Sequence, residues 1–117
     1  MILAAVDDLM FSSRISTAAK AVGATVKFTR SPDAVMAAAR EAMPALVIVD
    51  LNSTRVRPLD ILAALAADPA LAGVPTVGFV SHVDTATIEA ARKAGVKRVL
   101  ARSAFVEQLP DLLIHPN

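Results

Sequence analysis

Five short apolar segments recur along the chain: Ile2–Val6, Thr25–Thr29, Ala45–Val49, Pro75–Val80 and Lys97–Ala101. Between them lie stretches whose apolar residues follow helical spacing. This alternation constrains the fold more than any other feature. Ile2–Val6, Ala45–Val49 and Pro75–Val80 are nearly continuous apolar runs, the pattern of strands covered on both faces by helices. Strands that alternate with helices need crossover connections, which are right-handed and give a parallel sheet.

Local punctuation sets the helix limits. Phe11, Ile15, Ala18 and Val22 mark one helical face, and Gly23 stands where a helix can end in a left-handed cap. Ser31-Pro32-Asp33 is a helix start: a capping hydroxyl, a proline at the first position and an acid in the first turn. That helix carries Val35, Ala38, Ala39 and Ala42 before Pro44 stops it. Pro58 opens a third, with Leu62, Leu65 and Ala66 inward, closed by Asp68-Pro69. Asp84 caps a fourth that presents Ile88 and Ala91 and ends at Gly95. Ser103 is expected to cap the last, and Pro110 to kink or split it.

At 117 residues the chain is the size of one domain, residues 1–117, and its 55% hydrophobic content supplies a two-sided core. The formal net charge of +1 gives no strong pull toward nucleic acid or an anionic membrane. Without cysteine, thiolate chemistry and disulfides are excluded, and a cytoplasmic location is the expectation. Met1 leads straight into an apolar run followed by acids, which reads as a first strand and not a signal peptide. No apolar run is long enough to span a bilayer. No glycine-rich loop follows the first strand, which disfavours a flavin or dinucleotide site.

In open parallel sheets, sites form beyond the carboxyl ends of the strands. Here the first strand ends in Asp7-Asp8, the third in Asp50, the fourth in Val80-Ser81-His82 and the fifth in Arg102-Ser103. A three-layer α/β/α sandwich with the flavodoxin-like strand order 2-1-3-4-5 makes strands one and three neighbours. It brings the three carboxylates to one edge, facing one guanidinium. Clustered carboxylates repel, so their pKa values rise or a cation joins them. Hard oxygen ligands in an open site favour Mg2+, beside which a carboxylate is a plausible nucleophile toward a phosphoryl group.

Val6-Asp7-Asp8, Val49-Asp50-Leu51-Asn52, Gly95 before the fifth strand, and a cation ending that strand match the order and spacing of one family. Over essentially its whole length the chain resembles the receiver domain of two-component response regulators, the CheY-like superfamily, as an atypical member. The resemblance implies that Asp7 and Asp8 are acidic Mg2+ ligands beside Asp50, the phosphoacceptor, and that the backbone carbonyl of Asn52 is a further ligand. Arg102 and Ser81 would sense the phosphoryl group.

The departures from that pattern are specific. The hydroxyl residue that usually ends the fourth strand is Val80, with Ser81 one place later, on what would be the opposite face of a strand. The family lysine is Arg102, whose planar fork does not reproduce a compact ammonium, and the proline after it is Ser103. The switch aromatic is Val99. Ser53-Thr54-Arg55-Val56-Arg57-Pro58 replaces the usual Met-Pro-Gly stretch. Arg102 has two readings: it grips an incoming anion, or it forms a salt bridge to Asp50. His82 has no second histidine nearby and reads as a loop residue more readily than as a base or ligand.

Three functions are compatible with these residues. In the first, a sensor histidine kinase passes a phosphoryl group to Asp50, and the domain, not itself an enzyme, shifts a partner-docking surface near the fourth helix and fifth strand. In the second, a pseudo-receiver docks a signalling partner or forms a homodimer through that face without phosphorylation. The basic residues Arg92, Lys93, Lys97 and Arg98 lie there, though a solvated face explains them as well. The third, a Mg2+-dependent phosphohydrolase, lacks room for a water-excluding cap.

Overall fold

The computed structural model describes residues 1–81 and 84–116. Five strands and five helices alternate: β1 Ile2–Ala5, α1 Leu9–Val22, β2 Val26–Thr29, α2 Pro32–Glu41, β3 Leu46–Asp50, α3 Pro58–Ala67, β4 Thr76–Val80, α4 Thr85–Ala94, β5 Arg98–Ala101 and α5 Arg102–Ile114. All strand pairs are parallel, in the order β2-β1-β3-β4-β5. The expected flavodoxin-like three-layer architecture is borne out.

The strands β1, β3, β4 and β5 feed two cores because successive side chains point to opposite faces. Leu3, Ala5, Val47 and Val49 face α2, α3 and α4, where Val35, Ala39, Ile61, Leu62, Leu65 and Ala91 are buried. Ile2, Ala4, Val6, Leu46, Ile48, Val77 and Phe79 face α1 and α5, against Phe11, Ile15, Phe105, Leu109 and Leu112. Phe11, Phe79 and Phe105, from three separate elements, stack with ring centroids 4.5, 4.7 and 5.6 Å apart.

Most helix ends obey local chemistry. The side chains of Asp8, Ser31 and Asp84 accept from the amides of Phe11, Ala34 and Thr87, while Gly23 and Gly95 close α1 and α4 in the left-handed conformation. Two ends lack a side-chain cap, and only the second of them was expected to have one. Arg57, at φ 55°, precedes α3 without a side-chain cap, although it pairs with Asp60 at 2.7 Å. In α5 the cap position is Ala101, and Ser103 lies one residue inside the helix.

The expected break at Pro110 does not occur: α5 runs unbroken from Arg102 to Ile114. Proline removes one helical amide and crowds the preceding turn. Leu109, Leu112 and Leu113, buried on both sides of it, hold the helix on the sheet. Burial outweighs the local penalty.

Candidate functional site

The carboxyl ends of β1, β3, β4 and β5 converge at one edge of the sheet. β1 and β3 are hydrogen-bonded neighbours, with Ala5 opposite Val49, so Asp7, Asp8 and Asp50 follow from adjacent strands. β4 lies on the far side of β3, with Phe79 opposite Asp50. The Leu51 side chain comes close to the β4 backbone here. A Cβ placed on Gly78 would lie 2.7–2.9 Å from the side-chain atoms of Leu51, so glycine at that point lets the loop after Asp50 lie down on β4.

Asp50 is partly buried, and one carboxylate oxygen accepts from the Asn52 amide at 3.0 Å. Burial pushes its carboxyl above the usual range; the Asn52 amide and Arg102 oppose that, and Asp8 adds to it. Asn52 in turn accepts the Ser81 amide on its side-chain oxygen at 2.6 Å, tying the β3 and β4 loops together. Val80 is buried against the α2–α4 core. The place of the family hydroxyl is therefore apolar, and Ser81 stands beyond the strand, exposed.

The charges around Asp7 and Asp8 differ from the sequence reading. One oxygen of Asp7 faces the Arg30 Nε at 3.6 Å and the other the Arg55 Nη1 at 3.3 Å. Asp8 uses one oxygen to cap α1, and the other meets Arg102 Nη2 at 3.4 Å. These contacts, the Phe11 amide foremost, hold its carboxyl below the usual range despite some desolvation. The salt bridge considered between Arg102 and Asp50 is not what forms. Arg102 opens α5, where its guanidinium lies 4.4 Å above the Phe11 ring, and from there it pairs with Asp8.

Three arginines thus stand against three aspartates, where one guanidinium was expected. Arg30 and Arg55 were not singled out from sequence as partners of Asp7. Arg30 directly follows β2, so the rule that sites collect at strand ends pointed to it. Arg55 joins from 48 residues away, and nothing local marks it.

Hard cations need converging oxygen ligands that are free to bind. Among the described residues no group of three or more acidic, histidine or cysteine side chains is placed to hold a metal ion. Both oxygens of Asp7 and both of Asp8 face partners within the chain. As arranged, this donor set does not fit Mg2+. His82 lies outside the described residues.

Arg102 and Ser81 line one cavity with Asp8, Met10, Phe11, Arg14, Ala101, Ser103 and Val106. Val99 sits on β5 opposite Gly78, packed at the margin of the α2–α4 core. Of the basic cluster, Lys97 bonds the Ala72 carbonyl and Arg98 bonds Gln108, while Arg92 and Lys93 are exposed in the last turn of α4. No described helix is long and apolar enough to cross a membrane.

No protein-family model matches the sequence, and no curated protein does. Solved structures do. A response regulator from Hahella chejuensis is similar over 97% of this chain and 92% of its own, with a TM-score of 0.85 at 15% identity. The Mn2+-bound form of response regulator Rcp1 superposes with a TM-score of 0.78 at 18% identity, covering 95% of this chain and 89% of its own. The phosphorylated cyanobacterial phytochrome response regulator RcpA covers 99% of this chain and 94% of its own, with a TM-score of 0.78 at 20% identity. At these identities the likeness establishes the fold, which is that of receiver domains.

Proposed function

Taking the receiver fold as premise, we propose that this chain is a receiver-like signalling domain that works by docking a protein partner. Its acidic pocket is held by arginines instead of being set up for Mg2+-dependent phosphoryl transfer. One observation carries this reading: Arg30, Arg55 and Arg102 engage Asp7 and Asp8, the two acids that the resemblance assigns to the metal. The buried Val80 supports it, since no hydroxyl stands at the strand end to follow a phosphoryl group. The partner is a sensor kinase or another signalling protein, or a second copy of the chain. The α4–β5 side is the expected contact face, and the domain performs no turnover of its own.

A second reading, phosphoryl acceptance on Asp50, has its own support. Asp50 forms no salt bridge in the described structure and stands partly exposed at the end of β3, and the similar RcpA is known in a phosphorylated form. Incubation with acetyl phosphate, with and without Mg2+, followed by intact mass, separates the two. The docking reading expects no added phosphoryl mass and a partner interaction that survives Asp50→Asn. Mg2+-dependent labelling abolished by Asp50→Asn would establish the second reading and remove the first.

A further inference from the structure

Between the first turns of α1 and α5 lies an open cavity of about 680 Å3, lined by Asp8, Met10, Phe11, Arg14, Ser81, Ala101, Arg102, Ser103 and Val106. Its size is that of small-molecule sites, roughly 300–1,000 Å3. We infer that it binds a small organic phosphate monoester, with the phosphate between Arg14 and Arg102 and an apolar body against Met10, Phe11 and Val106. This goes beyond the docking reading and does not depend on it.

Charge favours an anion. Arg14 makes no hydrogen bond or ion pair with a described residue, so its guanidinium is available. Arg102 is held only loosely, at 3.4 Å from Asp8 and on the Phe11 ring. Within the lining two arginines face one carboxylate, Asp8, an excess of one positive charge since 2 − 1 = 1; Asp50 stands outside the lining but close enough to feel Arg102. No side chain caps α5, and amides of a helix's first turn have no partner within it. The residues that open α5, Arg102 and Ser103, belong to the lining, as does the exposed Ser81. Guanidinium groups and unpaired amides together match a phosphate better than a spherical anion, because they offer several directed donors.

Shape favours an apolar body on that phosphate. Met10 is 83% exposed at the cavity rim, and an unbranched thioether adapts to flat or irregular partners. Phe11 and Val106 continue the same wall inward. A ring resting there would exclude water from Met10 while its phosphate reaches the arginines.

Calorimetric and amide-shift titrations with phenyl phosphate, inorganic phosphate and phenol test the assignment. Phenyl phosphate should bind saturably and about tenfold more tightly than inorganic phosphate, the yield of removing one ring face from water. Amide shifts should centre on Arg102, Ser103 and Ala104. Arg14→Gln, a change at an exposed position that leaves the fold intact, should weaken both phosphates about tenfold, and Met10→Ser should weaken phenyl phosphate alone. Three results overturn the inference: no saturable binding of phenyl phosphate, equal affinity in Arg14→Gln, or phenol binding as tightly as its phosphate. Tighter binding of a phosphoserine peptide than of phenyl phosphate would also overturn it, in favour of a macromolecular ligand.

Discussion

Gly78 is expected to reverse the sign of its effect with the identity of one neighbour. In the native chain a methyl at Gly78 meets Leu51 Cδ1, Cγ and Cδ2 at 2.7–2.9 Å. Leu51 is only 5% exposed and cannot swing into solvent. Overpacking of this kind costs about 1–3 kcal/mol, offset by about 0.5–1 kcal/mol from replacing a glycine within a strand. Gly78→Ala should therefore destabilise by about 1–2 kcal/mol, and Leu51→Ala alone by about 2–5 kcal/mol. With Leu51 already truncated, the clashing atoms are gone. The same Gly78→Ala change should then stabilise by about 1 kcal/mol, from strand entropy and the partly refilled space. The coupling between the two sites is about 2–3 kcal/mol. A domain of 117 residues has roughly 6–18 kcal/mol in hand, so the whole cycle is measurable. Urea unfolding of the four proteins is the assay, with single-mutant midpoint shifts of about 0.5 M or more at constant slope. If Gly78→Ala destabilises equally in both backgrounds, the close approach of the β3 loop to β4 is not what glycine is there for.

Three further outcomes are expected. Because burial raises the Asp50 carboxyl, its ionised form opposes folding; that cost is present above its folded pKa and is relieved as pH falls through it. Asp50→Asn should thus stabilise the domain near neutral pH, with an advantage that shrinks in acid, as thermal melts across pH would show. Pro110→Ala should stabilise by about 1–2 kcal/mol, since it restores an amide to an unbroken helix, less the unfolded-chain entropy that proline removes; a loss in denaturant midpoint would contradict this. Two charges near a carboxylate contribute about 1 kcal/mol each before screening. Titration calorimetry should accordingly show the Arg30→Gln, Arg55→Gln double variant binding Mg2+ about tenfold more tightly than the native chain.

How much of this was legible in the sequence depended on distance along the chain. Caps are local: Ser31-Pro32, Asp84, Gly23 and Gly95 each announce a helix end within a few residues, and each does its work where expected. Strand order was legible too, because apolar runs and crossovers leave few arrangements open. Pro110 misled because its penalty is local whereas the burial of Leu109, Leu112 and Leu113 that overrides it is tertiary. Of the partners of Asp7, Arg30 was within reach of the strand-end rule, whereas Arg55 was illegible for the same reason. Arg30 and Arg55 approach it on long side chains from 23 and 48 positions away. Asp8 held a signal in plain view, since an acid three residues before Phe11 is a helix cap. Reading it only as a ligand hid the fact that one of its oxygens is already committed.

The arginines on Asp7 and Asp8 differ from an ion in one respect: they are covalently part of the molecule and cannot be chelated, diluted or exchanged. On the docking reading, a pocket neutralised this way depends less on magnesium than one whose acids stand open, since an ion must first displace the guanidinium groups. It also offers a handle to any anion that competes for those guanidinium groups. On that reading, what resets the domain is a ligand or a neighbouring surface, and its dose response should follow that agent's concentration.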